Sequence, residues 1–153
     1  MELPVRKHTR LWEYDYSQPG YYFITICTQN RQPLFWFGSN QLSFLGQLAL
    51  NCLKELPAHI SGLGLDEHCV MHDHIHAILI LKSVGPPYMA ADRSKQTLSR
   101  AIQQYKAAVT RRSGQKGIWQ SGYYDHVIRN DYDLEETRQY IRNNPLAQTL
   151  KHP

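Results

Sequence analysis

The segment 70–81 constrains the fold of this chain more than any other feature, because its apolar residues read as buried sheet. Its polar residues are His72, Asp73, His74 and His76, and His74 and His76 have one residue between them at the start of a predicted strand. Since alternate side chains of a strand point to the same face, both imidazoles are expected on one face, a few ångströms apart. Two nitrogen donors on a rigid strand make half of a metal site.

Strand and helix patterns alternate along the rest of the chain. Runs rich in aromatic, β-branched or other apolar residues predict four strands. They cover residues 21–28, 63–71, 75–81 and 123–129. Apolar side chains at helical spacing predict a helix that begins after Ser43 as its N-cap and ends near Pro57, and a second helix over 95–112.

The last helix is predicted from its terminal residues. A capping box at Asp133 indicates where it opens. We expect it to stop near Asn143 or Asn144, because the residue before a proline, here Pro145, avoids helical angles. A loop is predicted over 83–92, where glycine and two prolines follow one another.

The resulting order, β-α-β-β-α-β-α, determines the predicted fold class. Strand-helix-strand, repeated twice, is typical of an α+β split βαβ sandwich of the ferredoxin-like or RRM-like kind. Such a sandwich has a mainly antiparallel four-stranded sheet with helices on one face, here followed by a C-terminal helix. The length predicts a single domain over 1–153.

Composition excludes some classes of protein. No run of about 18 apolar residues occurs, so no membrane span is predicted, and the N-terminus lacks the apolar core of a signal peptide. Cys27, Cys52 and Cys69 are far apart and form no CxxC pair. We therefore expect reduced, mostly buried thiols and a cytoplasmic protein.

The net charge of +4 is unevenly distributed. Between Arg93 and Tyr124 the chain has seven basic residues and no acidic one. Such a stretch attracts polyanions, of which nucleic acid is the commonest. A solvated helix face followed by a loop is the alternative interpretation.

Three completions of the histidine pair are open from the residues alone. His72 lies on the same face by alternation, and three imidazoles suit zinc with an open position for water. A carboxylate is the second, either that of Asp73 or one from elsewhere in the chain. Asp73 points to the opposite face if the strand already includes it. The last helix is the third, because Tyr140 and Asn144 are spaced i, i+4 and share a helical face. Packing of the tyrosine and a simple helix stop at the asparagine are the structural alternatives.

Four segments, taken together, resemble a known family. Residues 22–31, 70–76, 118–129 and 140–145 occur in the order of the corresponding blocks of the single-tyrosine HUH transposases. The resemblance is to the branch associated with repetitive extragenic palindromes (REP), which has an IS200-like domain, and it covers about residues 20–147. Two departures exist: the family usually has Pro-Asn where this chain has His72-Asp73, and the chain ends soon after Pro145.

The resemblance implies a metal-dependent DNA transposase. According to the resemblance, Tyr140 is the nucleophile that forms a 5′-phosphotyrosine bond, and the last helix is the catalytic helix. The implied metal ligands are His74, His76 and Asn144. Mg²⁺ or Mn²⁺ is the expected ion, and Mn²⁺ accepts imidazole more readily. The implied substrate is single-stranded DNA next to a hairpin. The implied location of the protein is the cytoplasm, in association with the nucleoid. A homodimer, with each tyrosine helix serving its own or the other metal site, is left open.

The basic stretch and the aromatic residues after it are candidate DNA contacts. Cations would follow the phosphates and exposed aromatic rings would stack on unpaired bases, unless these rings pack in the core. The candidates are Arg100, Lys106, Arg111, Arg112, Lys116, Trp119, Tyr123, Tyr124 and Arg129. Two other hypotheses remain: a hairpin-DNA-binding protein that no longer cleaves, and a zinc hydrolase that uses His72, His74 and His76.

Overall fold

The computed structural model describes residues 19–82 and 98–151. In these ranges, the elements are β1 (Gly20–Cys27), a 3₁₀ turn (Gln29–Arg31), β2 (Trp36–Phe37), β3 (Gln41–Leu42), α1 (Phe44–His59), β4 (Leu63–Val70), β5 (His74–Leu81), α2 (Leu98–Ser113), β6 (Tyr124–Ile128) and α3 (Asp131–Lys151). The loop predicted over 83–92 and the predicted start of the second helix at residue 95 lie outside the described residues.

The sheet confirms the predicted fold class. Four antiparallel strands lie in the order β4-β5-β1-β6, as expected of a split βαβ sandwich. The predicted strands agree with these four to within one residue at each end. The short hairpin β2–β3 was not predicted, because two-residue strands are too short to show an alternating pattern.

Alternation along β1 divides its side chains between two cores. Tyr22, Ile24 and Ile26 are buried in the larger core, which the sheet shares with α1 and α2. Phe23 belongs to a smaller core with Ile141 of α3. The sheet is therefore the middle layer: α1 and α2 lie on one face, as predicted, and α3 covers the other.

The ends of the helices agree only in part with the predictions. Ser43 is the N-cap of α1, since its Oγ accepts a hydrogen bond from the Gly46 amide at 3.0 Å. The predicted capping box at Asp133 is wrong, because α3 begins two residues earlier and the Asn130 Oδ1 accepts from the Asp133 amide at 2.8 Å.

The predicted stop near Asn143 or Asn144 is also wrong, because α3 runs on through Pro145 to Lys151. Proline has a helical φ, although it lacks an amide hydrogen and its ring crowds the preceding turn. The restriction on the residue before it is a preference, which a helix can overcome. Pro57 lies inside α1 in the same way.

The three cysteines are buried, as the sequence predicted. Cys27, Cys52 and Cys69 are free thiols, and burial raises the pKa of Cys69 to about 12.

Within the ranges that the structure describes, no helix combines the length and apolar character needed to cross a membrane.

Candidate active site

The two histidines of β5 lie side by side on the face that α3 covers. Their ring centroids are 4.6 Å apart and the planes are inclined by 71°. His76 is 1% exposed, and the His74 side chain is 13% exposed. The prediction that both imidazoles share one face is confirmed by the pairing register, because Cys27 and Thr25 of β1 lie opposite His74 and His76.

One ring nitrogen of His76 is held and the other has no partner. Nδ1 lies 3.0 Å from the Thr25 hydroxyl oxygen, inside the sheet. Nε2 is buried without a hydrogen-bond partner among the described residues. Burial, followed by the nearby His74 and Arg31, lowers the pKa of His76 to about 3, so the ring is neutral at pH 7. A neutral imidazole with one nitrogen anchored and one unsatisfied is suited to binding a metal ion.

His74 is oriented by a carboxylate. Its Nδ1 lies 2.7 Å from Oδ1 of Asp73. Burial alone would raise the pKa of the Asp73 carboxyl, but hydrogen bonds from His74 and Arg31 outweigh it and lower that pKa to about 2. The ionised carboxylate can only accept, so Nδ1 carries the hydrogen and Nε2 is the nitrogen available to a metal. Asp73 reaches His74 because it lies in the β4–β5 turn, where the alternation of a strand does not apply.

His72 does not join the pair. It precedes β5, and its ring stacks on Trp36 with centroids 5.2 Å apart. Trp36 packs against the core on the α1–α2 side and donates from Nε1 to the Val70 carbonyl at 2.8 Å. In the described ranges, no group of three or more His, Cys, Asp or Glu side chains could hold a metal ion. The expectation that His72 shares the face of the pair fails because the strand starts only at His74.

The last helix brings Tyr140 to the histidine pair of the same chain. The Tyr140 and His76 ring centroids are 5.5 Å apart, and Phe23 lies edge-on to Tyr140 at 6.2 Å. Asn144 follows one helical turn later and is half-buried, so the i, i+4 spacing puts its amide on the Tyr140 side of α3. Its oxygen is the only candidate third donor from this helix that the sequence predicted.

Two arginines hold α3 on the sheet. Arg138 makes a two-point contact with Asp66 of β4, with Nε–Oδ1 and Nη2–Oδ2 distances of 2.9 and 2.7 Å. One turn later, Arg142 donates from Nε to Glu67 at 2.7 Å. Because Tyr140 lies between the two arginines, these ion pairs determine where its ring meets His76.

We expect Asp66→Asn to lower the free energy of unfolding by about 1.5–3 kcal/mol, because it removes charge-assisted hydrogen bonds from Arg138. The hydrogen bond from Arg138 lowers the pKa of the Asp66 carboxyl. The contribution is therefore present above the ordinary carboxyl pKa of about 4 and lost as pH falls through the lowered value. Urea unfolding of both proteins at pH 7 and in acid measures it.

Glu135→Gln is the matched control. Glu135 faces the same arginine at 3.7 Å but is 56% exposed, so its replacement should cost at most about 0.5 kcal/mol. An equal loss in the two variants, or a difference between Asp66→Asn and wild type that does not shrink in acid, would contradict the assignment.

The structure separates the basic residues of α2 from the histidine pair. Helix α2 packs with α1 on the opposite face of the sheet, so its cations do not line the site. Arg112 forms a two-point ion pair with Glu55, and Lys106 donates from Nζ to the carbonyls of Gln120 and Gly122. Of the other cations, Arg100, Arg111, Lys116 and Arg129 are exposed.

The three aromatic candidates have different surroundings. Trp119 packs against Phe35 and Tyr105 at 5.7 and 5.8 Å and donates from Nε1 to a backbone carbonyl, which favours packing over base stacking. Tyr123 packs on the same side and its hydroxyl lies 2.8 Å from Ser99 Oγ. Tyr124 lies opposite Thr25, so it shares the sheet face of His76.

Three residues at the site were not predicted. Thr25 and Phe23 are ordinary strand residues in the sequence, and only the β1–β5 register puts them beside His76. Arg31 has a left-handed backbone, with φ of 54°, which no sequence pattern indicates for an arginine. The one usable signal was Asp73, because an acidic residue directly before a candidate ligand is a common outer partner of a histidine.

The donors present fit a divalent cation that accepts both nitrogen and oxygen. Two imidazoles and one amide oxygen from α3 offer such ligands without a thiolate, and imidazole favours Mn²⁺ over Mg²⁺. The buried Nε2 of His76, which has no hydrogen-bond partner among the described residues, is the structural observation that supports binding of such an ion.

Comparisons by family model, by sequence and by structure each find IS200-like or REP-associated transposases. The family model for IS200-like transposases matches residues 16–144. A protein of uncharacterised function from Haemophilus influenzae is 32% identical, covering 92% of this chain and 88% of its own. The REP-associated tyrosine transposase of Escherichia coli K12 is 24% identical, covering 86% and 69%. A solved REP-associated tyrosine transposase bound to a REP hairpin has a TM-score of 0.67 at 22% identity, covering 90% and 73%.

Proposed function

Because this chain belongs to the IS200-like transposase family, we propose that it cleaves and rejoins single-stranded DNA next to hairpins through a covalent bond to Tyr140. One observation supports this above the others: the Tyr140 ring lies 5.5 Å from His76, whose Nε2 is buried and unsatisfied. A nucleophile and a cation-binding nitrogen at this separation suit attack on a phosphodiester.

The proposed reaction exchanges one phosphoester bond for another. The Tyr140 oxygen attacks the phosphorus and loses its proton, and the bond from phosphorus to the 3′-oxygen breaks. The departing strand takes up a proton as a free 3′-hydroxyl, and the other strand stays attached as a 5′-phosphotyrosine. The phosphoester count is unchanged, so the reverse attack by a 3′-hydroxyl rejoins DNA without ATP.

His74, His76 and Asn144 would hold Mg²⁺ or Mn²⁺ in this proposal. When bound, the ion supplies Lewis-acid polarisation of the scissile phosphate. The residues of the chain do the rest: Thr25 and Asp73 hold the imidazoles through Nδ1, and the ion pairs of Arg138 and Arg142 fix the approach of Tyr140.

The proposed substrate is supported by the comparisons and by charge. The solved relative with this fold is bound to a REP hairpin, and we extend hairpin binding to this chain. Tyr124 is the candidate stacking residue on the face of the site. The exposed cations Arg100, Arg111, Lys116 and Arg129 would contact phosphates away from the cleaved bond.

Incubation with a hairpin-bearing single strand, labelled on either side of the cleavage point, tests the proposal. With Mn²⁺ we expect a covalent protein–DNA adduct on a denaturing gel and a released fragment with a 3′-hydroxyl, and with a chelator neither. Binding without adduct under any divalent ion would instead favour a hairpin-binding protein that no longer cleaves.

A further inference from the structure

We propose that Asp73, held in place by Arg31, is a positioning residue that orients His74 and strengthens it as a metal ligand. The inference rests on the proposed function, because it concerns the same metal site. It concerns the contact that His74 makes through its other ring nitrogen. From the sequence, Asp73 was expected either to bind the metal directly or to lie on the opposite face of the strand.

The first step is the contact between the carboxylate and the ring. Asp73 Oδ1 lies 2.7 Å from Nδ1 of His74, which is the length of a strong charge-assisted hydrogen bond. An ionised partner at Nδ1 fixes the tautomer with the lone pair on Nε2 and increases its donor strength. His76 has only the neutral hydroxyl of Thr25 at the equivalent nitrogen, 3.0 Å away. The two ligands are therefore supported unequally.

The second step is the clamp on the carboxylate. Arg31 donates from Nε to Oδ2 at 3.2 Å and from Nη2 to Oδ1 at 3.3 Å. The closer carboxylate oxygen thus receives hydrogen bonds from both His74 and Arg31. Both carboxylate oxygens therefore accept hydrogen bonds, which hold the carboxylate in the orientation that faces His74.

The third step is the backbone that holds this arrangement. Asn30 and Arg31 both have left-handed φ, at 55° and 54°, a region that residues other than glycine rarely adopt. Thr28, fully buried, donates from its amide to the Asp73 carbonyl at 3.0 Å. The turn after β1 and the turn before β5 are thus tied together independently of the Asp73 side chain. Strain kept at two successive residues beside the site is typical of a functional constraint.

Titration of the DNA-free protein with Mn²⁺, followed by electron paramagnetic resonance, tests the inference. Asp73→Asn keeps an oxygen for Nδ1–H but removes the charge, and we expect the Mn²⁺ affinity to fall about 10- to 100-fold. Asp73→Ala should lose at least as much, and Arg31→Gln less. Adduct formation by Asp73→Asn should recover at saturating Mn²⁺, which a general loss of folding would not allow.

Glu55→Gln is the matched control, because Glu55 also accepts two hydrogen bonds from one arginine, Arg112, but on the other side of the sheet. Its Mn²⁺ affinity should equal that of wild type. If wild type binds Mn²⁺ through His74 but Asp73→Asn binds it equally well, the inference is wrong and the proposed site stands. If His74→Gln binds Mn²⁺ like wild type, both are wrong.

Discussion

Replacement of Tyr140 by Phe is expected to abolish covalent attachment to DNA and to lower the cleavage rate by at least about 10³-fold, because the variant has no oxygen to attack phosphorus. The ring itself should stay in place. Its edge-on contacts with His76 and Phe23 need only the aromatic carbons, which phenylalanine keeps. Hairpin binding and thermal stability should therefore change little, and the defect should lie in the chemical step.

Tyr132→Phe is the control for this prediction. Tyr132 is on the same helix but 73% exposed, and its hydroxyl donates to Glu136 rather than facing the sheet. This variant should form adduct at the wild-type rate on the denaturing gel. An adduct that persists in Tyr140→Phe, or is lost in Tyr132→Phe, would show that another residue is the nucleophile.

The second large effect is expected at the histidine pair. His74→Gln and His76→Gln should each lower the Mn²⁺ affinity at least about 100-fold, because loss of a ligand costs more than the 10- to 100-fold typical of an outer partner. His76 is buried, so its variant is also expected to melt at a lower temperature. His74, nearer the surface, provides the cleaner measurement of metal binding by calorimetry.

Two other histidines serve as controls for the pair. His126 lies on the same sheet face but is exposed and bound to Asp133 at 2.8 Å, so His126→Gln should bind Mn²⁺ normally. His72→Gln should do the same, since the His72 ring stacks on Trp36. A loss in His72→Gln equal to that in His74→Gln would favour the three-imidazole zinc site over the one proposed.

The local sequence pattern was sufficient to predict the four strands of the main sheet and the shared face of the histidine pair. The β5 prediction succeeded because alternation along a strand is a property of its own backbone, and two residues at i, i+2 share a face in any sheet. The same reasoning failed at His72, because alternation holds only within a strand and His72 precedes both the predicted and the observed start of β5. The end of α3 failed for a related reason: a penalty before Pro145 is a tendency, and the packing of a whole helix can outweigh it.

The basic stretch shows the limit of linear proximity. Its residues run along α2 and the loop after it, and charge alone indicated attraction to a polyanion such as nucleic acid, with a solvated helix face as the alternative. In the fold, Arg112 and Lys106 hold elements together, and α2 lies behind the sheet from His74 and His76. A cluster in sequence becomes a surface facing the site only if the element carrying it packs on the right face.

The amino-acid sequence alone thus predicted the family resemblance, the fold class and the shared face of His74 and His76, because each depends on residue types at short, regular spacing. From the residues alone, Tyr140 and Asn144 were one of three possible completions of the pair, and only the resemblance selected them. The packing of α3 onto that face, the register that puts Thr25 behind His76, and the Asp73–Arg31 clamp behind His74 depend on contacts between residues far apart in the sequence, such as Asp66 and Arg138, which are 72 positions apart. Such contacts form only when the chain closes on itself, so they leave no periodic signal in the sequence.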